Sequence, residues 1–153
     1  MGNCNKTLVI IPCGKKKIWS KNKLCGSVKA EEAYVSNYFK LCKLYAKRFA
    51  DKWVILSGKY GIIEPGFIID NDYDIKLKPT EEFKIKVKDQ LKPFILDGFT
   101  NIVSLCSDYY SDFLKDIIKQ FGLKLNTPLR GLKIGIRQKK LKISLGNDKP
   151  LKR

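Results

Sequence analysis

Two short apolar runs constrain this chain more than anything else in it. Leu8-Val-Ile-Ile-Pro-Cys-Gly-Lys-Lys-Lys17 and Trp53-Val-Ile-Leu-Ser-Gly-Lys-Tyr-Gly-Ile-Ile-Glu-Pro65 each pass from β-branched or aliphatic residues straight into glycine with lysine beside it. Such a run without polar alternation reads as a strand buried on both faces, which calls for helices above and below a mainly parallel sheet. In an open α/β sheet, ligands collect in the crevice outside the carboxyl ends of the strands. Two strand-end loops of matching design therefore predict one shared, cationic site.

Strands are predicted over residues 7–11, 53–56 and 101–106. Within residues 30–50, Tyr34, Tyr38, Leu41, Tyr45 and Phe49 recur at three- and four-residue spacing, predicting one amphipathic helix. A second helix starts after Thr80, whose hydroxyl caps a first turn holding Glu81 and Glu82; it turns Phe83, Val87 and Leu91 inward until Pro93 kinks or ends it. A third spans residues 107–121 and closes at Gly122. Residues 62–77 read as a long loop with a short extended piece, and 123–129 as a short extended segment. Residues 131–141 are either a further strand or the start of a basic helix. The order β-α-β-α-β-α predicts a single three-layer α/β domain with a mainly parallel central sheet over residues 1–146, followed by a basic tail, 147–153, expected to fray.

Charge is segregated along the chain. Residues 1–29 hold seven lysines and no acid, residues 130–153 hold nine Lys or Arg against Asp148 alone, and between them 15 basic residues face 14 acidic ones. Nearly all of the +16 net charge thus lies at the two ends. This is the footprint of a polyanion partner, most often nucleic acid, with a merely solvated basic surface as the plain alternative. Lys15, Lys16 and Lys17 in one loop, and Arg137, Lys139, Lys140 and Lys142 near the other end, are the expected phosphate contacts.

At 153 residues, 44% of them hydrophobic, the chain is long enough for one sizeable core. No apolar run approaches the roughly 20 residues of a membrane span, and the N-terminus lacks a secretory signal, so a cytoplasmic protein with no membrane partner is expected. Cys4, Cys13, Cys25, Cys42 and Cys106 are odd in number with no C-x-x-C pair, which predicts free thiols rather than disulfides or a zinc site. Histidine is absent, which excludes Ser-His-Asp and Cys-His nucleophiles and His-ligated metals; no metal or other cofactor is expected. Proton transfer falls to Asp, Glu, Lys, Tyr, Cys or water.

Neither G-x-x-x-x-G-K-[ST] nor G-x-G-x-x-G occurs, which argues against nucleoside triphosphate chemistry. Cys13, beside three lysines, is either a nucleophile with a depressed thiol pKa or a small residue at a tight turn. In Ser57-Gly-Lys-Tyr-Gly61 the glycines flanking Lys59 and Tyr60 permit close ligand approach, and Tyr60 offers a stacking face and a hydroxyl; a simple turn is the alternative. The loop Ile69-Asp-Asn-Asp-Tyr-Asp74 concentrates carboxylates in a basic chain. Asp72 and Asp74, bracketing Tyr73, are the candidates to orient a substrate amine or polarise a water, against a reading as solvated acids paired with lysine. Their spacing fits no EF-hand.

These segments also carry a family resemblance. Leu56-Ser-Gly-Lys-Tyr-Gly-Ile-Ile-Glu-Pro65, followed by Asp72-Tyr-Asp74, resembles the Ser-(Gly/Ala)-x-Tyr-Gly-(Leu/Ile)-(Leu/Ile)-x-Pro...Pro-Tyr signature of YaaA-type peroxide-stress proteins and of small prokaryotic and phage domains. Ile11-Pro-Cys-Gly-Lys-Lys-Lys17 is similar to the Cys-Ser-x-x-Lys motif of those domains and to Pro-Cys-Ser-x-x-Lys-Pro-Tyr of archaeosine synthase. Ala30-Glu-Glu-Ala-Tyr-Val-Ser-Asn-Tyr-Phe39 and Pro128-Leu-Arg-Gly-Leu-Lys-Ile-Gly135 resemble their Ala-x-x-Leu-Tyr-x-Ser-x-x-Phe and Pro-Leu-x-Gly-Leu-x-Ile-Gly segments. Gly14 stands in place of Ser, Ile18-Trp19 in place of Pro-Tyr, and Asn71-Asp72 where a Pro would precede Tyr73. The resemblance implies a fold like that of uracil-DNA glycosylases and a role in handling bases in DNA or tRNA.

The expectation is a nucleic-acid-binding enzyme that acts on a base in DNA or tRNA, by N-glycosidic cleavage or base modification. The catalytic candidates are Asp72, Asp74, Lys59 and Cys13; the substrate-binding candidates are Ser57, Gly58, Tyr60, Tyr73, Tyr34 and Gly14, with Tyr60 or Tyr73 stacking on an extruded base. The alternatives are a non-enzymatic nucleic-acid-binding module and an enzyme on a small nucleotide or phosphorylated ligand.

Overall fold

A computed structural model describes residues 5–152, so Cys4 and Arg153 lie outside the described residues. In chain order the elements are β1 (Lys6–Pro12), β2 (Val28–Lys29), α1 (Ala30–Ala33), α2 (Asn37–Phe49), β3 (Lys52–Ser57), β4 (Gly61–Ile63), β5 (Ile68–Ile69), α3 (Glu81–Leu96), β6 (Phe99–Ser104), α4 (Asp108–Gln120), β7 (Leu125–Asn126) and α5 (Ile134–Asn147). The main sheet has the order β4-β3-β1-β6-β7. β1 runs parallel to both β3 and β6, β7 is parallel to β6, and only β4 is antiparallel. β2 and β5 form a separate antiparallel pair.

The apolar runs are explained by cover on both faces. Leu8 and Ile10 of β1 point with Val54, Leu56 and Ile102 into a layer closed by Val87 and Leu91 of α3 and by Phe113, Leu114, Ile117 and Ile118 of α4. Val9 and Ile11 point the other way, with Ile55, against Phe39, Cys42, Tyr45 and Ala46 of α2 and Leu141 of α5. The chain is therefore a three-layer α/β domain with a mainly parallel sheet, and the period-two alternation appears between two apolar faces instead of between core and water.

The expected Thr80 cap and Gly122 close hold: Thr80 accepts from the Phe83 amide at the start of α3, and Gly122 takes a positive φ of 75° after α4. Ser107, expected as the first residue of the third helix, is instead its N-cap and accepts from the Tyr110 amide. Pro93 does not end α3, which continues to Leu96. The single helix expected over residues 30–50 is instead two. Tyr34 adopts an extended conformation and bridges to Lys17, and Ser36 restarts the chain as N-cap of α2 by accepting from the Phe39 amide at 3.1 Å. The loop expected over 62–77 contains β4 and β5, and residues 131–141, left between strand and helix, enter α5.

The C-terminal tail, expected to fray, is tied down. Arg48 donates to Asp148 at 2.6 Å, the Leu151 amide donates to the Tyr45 hydroxyl at 3.0 Å, and the Lys149 amide returns to the Ser144 carbonyl at 3.1 Å. At the β4 edge of the sheet, the Gln90 side chain accepts from the Ile62 amide at 2.7 Å and donates to the Tyr60 carbonyl at 3.0 Å, occupying one polar group of the edge strand and one just before it. Cys13, Cys25, Cys42 and Cys106 are free thiols. No helix among the described residues is long and apolar enough to cross a membrane.

Candidate functional site

Beyond the carboxyl ends of β1, β3 and β6 the surface opens into two adjoining chambers, of about 480 and 470 Å³, which share Cys13, Gly14 and Tyr110 as walls. The first lies between the start of α2 (Ser36, Tyr38), the start of α4 (Ser107, Asp108) and the start of α5 (Ile134, Arg137). The second is aromatic and cationic, enclosed by Tyr73, Tyr109, Tyr110, Lys15, Lys17 and Lys76, with Asp74, Ile75 and Leu77. The sheet fixes the back of both: the Cys13 amide donates to the Leu56 carbonyl at 3.2 Å, and the Leu105 amide to the Ile10 carbonyl at 2.9 Å.

Ser57 and Gly58 bring the acidic loop down onto this end of the sheet. The Ser57 hydroxyl oxygen accepts from the Lys59 and Tyr60 amides at 3.2 and 3.1 Å and lies 2.8 Å from the Tyr73 hydroxyl, which in turn bonds to the Tyr34 hydroxyl. A serine hydroxyl has two lone pairs and one proton. With both lone pairs taken by amides, Ser57 donates to Tyr73 and Tyr73 donates to Tyr34. Burial pushes Tyr34 above the ordinary phenol range and Tyr73 up to about 12, the latter against the lowering effect of its Ser57 and Tyr34 bonds. Both stay neutral phenols and hold the 69–77 segment in place.

Tyr73 is therefore an anchor whose ring faces cations: the Lys17 ammonium lies 4.5 Å and the Lys59 ammonium 5.5 Å from its centroid. Lys59 is also 5.0 Å from the Tyr60 ring, which meets Tyr73 edge-on at 5.4 Å. Tyr60 opens onto a different cavity, with Ile62, Glu64, Phe67, Lys86 and Gln90. The structure thus separates Tyr60 from the Cys13 chambers, and the aromatic faces it brings to them are those of Tyr109 and Tyr110. Asp74 lines the aromatic chamber, whereas Asp72 borders a separate hollow with Trp19, Lys23 and Asn71.

Cys13 stands where the two chambers meet. Burial pushes its thiol up, opposed by the Gly58 amide, the Lys17 ammonium and the Tyr110 hydroxyl, so the lysine-rich loop does not make it a thiolate. Gly14 has the Ser36 hydroxyl 3.4 Å from where a Cβ would stand, so a small side chain would meet an ordinary contact there.

Two expected phosphate contacts have other positions. Arg137 is 6% exposed, and its guanidinium donates to the Leu132 carbonyl at 2.8 Å, the Cys106 carbonyl at 2.9 Å and Asp108 at 2.9 Å, clamping α5 to the end of β6. Lys17 is 3% exposed: its backbone bridges to Tyr34 and its ammonium lies by the Tyr73 ring. Lys15, Lys16, Lys139, Lys140 and Lys142 are exposed. Sequence reasoning passed over Tyr109, Tyr110 and Lys76. The signal for the tyrosines was present: they follow the third parallel strand, at the same carboxyl end that drew attention to Cys13 and Ser57.

Comparison with known proteins gives the chain relatives without assigned chemistry. It is 44% identical over 101 residues to the "Uncharacterized protein YfjM" of Bacillus subtilis (strain 168), covering 65% of this chain and 67% of that one. A solved structure, "Crystal structure of AF0587, a protein of unknown function", is similar over 91% of this chain with a TM-score of 0.48 and 15% identity, and this chain spans 44% of that protein's length. Residues 8–143, which hold every strand end that lines the two chambers, match one family throughout, and the chain belongs to it: the family of unknown function DUF6884.

Proposed function

We propose that this protein binds nucleic acid, DNA or tRNA, through its basic surface and takes a base into the aromatic chamber beside Cys13, where it cleaves or modifies it. The observation that carries the reading is the make-up of that chamber: about 470 Å³ at the carboxyl end of a parallel sheet, with Tyr109 and Tyr110 as walls and Lys15 and Lys76 exposed at its rim. Aromatic faces with flanking ammonium groups suit an unstacked base and its phosphates. The exposed lysines of α5 extend the same charge, and the resemblance to base-handling YaaA-type and archaeosine synthase domains with a uracil-DNA-glycosylase-like fold supports it further. Asp74 is the carboxylate in the chamber, so it polarises the attacking water or holds the base edge. Cys13 stays protonated and shapes the wall. The site of action is the cytoplasm.

The test has two arms. Single-stranded and duplex oligonucleotides and a tRNA pool are incubated with the protein, and released or altered bases are identified by mass spectrometry. Asp74→Asn should abolish the product with affinity within a few-fold, while Asp72→Asn should retain it. Tyr109→Ala should weaken binding of single strands by about 1–3 kcal/mol, the worth of one stacking partner. If wild-type protein binds but alters no base in any pool, the reading reduces to a binding module; if it binds no oligonucleotide, the reading fails.

A further inference from the structure

Among the described residues, Lys17 is a cation that the fold buries without giving it an anion. It is 3% exposed, and among the described residues its ammonium has one hydrogen bond, to the Lys15 carbonyl at 3.2 Å, besides the Tyr73 ring 4.5 Å away. No ion pair among the described residues includes it. An ammonium has three protons to donate, and removing it from water without a carboxylate partner is costly. The fold bears that cost at a wall of the aromatic chamber, where Lys15 and Lys76 add two further ammonium groups against the single carboxylate of Asp74. The position is also preorganised: the Lys17 backbone is pinned by its bridge to Tyr34 and by the 3₁₀ turn that follows at Ile18–Ser20.

Three ammonium groups against one carboxylate leave a surplus of two positive charges. An internal phosphodiester brings one negative charge, whereas a phosphomonoester carries about −1.5 to −2 at pH 7 and three acceptor oxygens. We propose that the aromatic chamber binds a phosphomonoester, the phosphate of a nucleotide that is free or stands at the end of a strand, with Lys17 as its buried anchor. The inference rests on the reading of this chamber as a base site and narrows it: the base enters with its own terminal phosphate instead of being extruded from mid-strand. Lysine supplies a point charge on a flexible stem, suited to a phosphate that is completed on all sides by other donors.

The experiment compares one short single-stranded oligonucleotide carrying a 5′-phosphate, a 3′-phosphate or hydroxyl ends by fluorescence anisotropy. Nucleoside monophosphates, nucleosides and inorganic phosphate serve as competitors. A phosphorylated end or a free monophosphate should bind at least tenfold more tightly than its hydroxyl counterpart, and the preference should shrink below about pH 6 as the monoester loses its second charge. Lys17→Met, which keeps the apolar stem, should erase the preference; Lys16→Met, an exposed neighbour, should retain it. Preference for the free monophosphate alone supports the inference and identifies its source as a small ligand. Equal affinity of wild-type protein for phosphorylated and hydroxyl forms overturns it whether or not the variants fold. When Tyr109→Ala still weakens the hydroxyl-ended strand in that case, the base-site reading survives and the phosphomonoester alone is refuted.

Discussion

Gly58 is the position at which the site depends most narrowly on a missing side chain. A Cβ there would stand 2.3 Å from the Ile75 carbonyl oxygen, 2.7 Å from the Leu77 amide nitrogen and 2.9 Å from the Lys76 carbonyl carbon, all backbone atoms. Favourable contacts lie at about 3.5–4.0 Å, so Gly58→Ala forces segment 75–77 to retreat by about 1 Å or more, because Gly58 follows directly on strand β3 and cannot yield itself. Overpacking of this kind costs about 1–3 kcal/mol, against which the stiffer unfolded chain returns about 0.4–1 kcal/mol. The net loss should be about 1–2 kcal/mol, a melting point lower by about 2–8 °C in a chain of this length. The retreating residues are walls of the aromatic chamber, and the Leu77 amide bonds to the Tyr110 hydroxyl at 3.3 Å, so ligand affinity should fall as well. Urea denaturation and oligonucleotide binding measure the two effects. Gly66→Ala, where a Cβ meets nothing within 4 Å, is the control and should stay within about 0.5 kcal/mol of wild type. A Gly58→Ala protein as stable as wild type, with undiminished binding, would refute the view that the close approach of segment 75–77 builds the chamber.

Gln90→Leu removes the bonds to Ile62 of strand β4 and to Tyr60 just before it and should cost about 1–3 kcal/mol in urea denaturation, with a rise in self-association from the uncovered edge; unchanged stability would show that the amide bridge is incidental. Replacing exposed Lys139, Lys140 and Lys142 by alanine should lower duplex affinity without regard to sequence and flatten its logarithmic salt slope by about 0.9 per lost contact, whereas an unaltered slope would place α5 away from nucleic acid. Burial lifts the Tyr73 phenol up to about 12, so the stability it confers is complete below the unfolded value of 10 and is lost as pH rises toward 12. Unfolding free energy should fall across that window by up to about 1.4 kcal/mol per pKa unit, and Tyr73→Phe should flatten the fall; equal profiles for the two proteins would contradict the buried-phenol assignment.

Local sequence was enough to determine the elements whose burial is complete on both sides or whose ends carry a cap. The Leu8–Ile11 and Val54–Leu56 runs declare buried parallel strands because nothing polar interrupts them, and Thr80 and Ser107 declare helix starts because a hydroxyl satisfies an amide that the helix leaves free. The rule that ligands collect at the carboxyl ends of parallel strands located Cys13 and the Ser57 loop from the sequence alone, and it would have reached Tyr109 and Tyr110 had it been applied to the third strand. Long-range pairing decided the rest. The apolar period runs unbroken through Tyr34, and only the bridge to Lys17 and the Ser36 cap break that helix. Composition marks Lys17 and Arg137 as surface cations, yet the bridge to Tyr34 and the Tyr73 ring beside one and the three acceptors converging on the other make them interior groups. Asp72 and Asp74 are equivalent as residue types and two positions apart. They open onto different cavities because Tyr73 between them is anchored by Ser57 and Tyr34, residues brought together by the fold of the sheet and not by their neighbourhood in the chain.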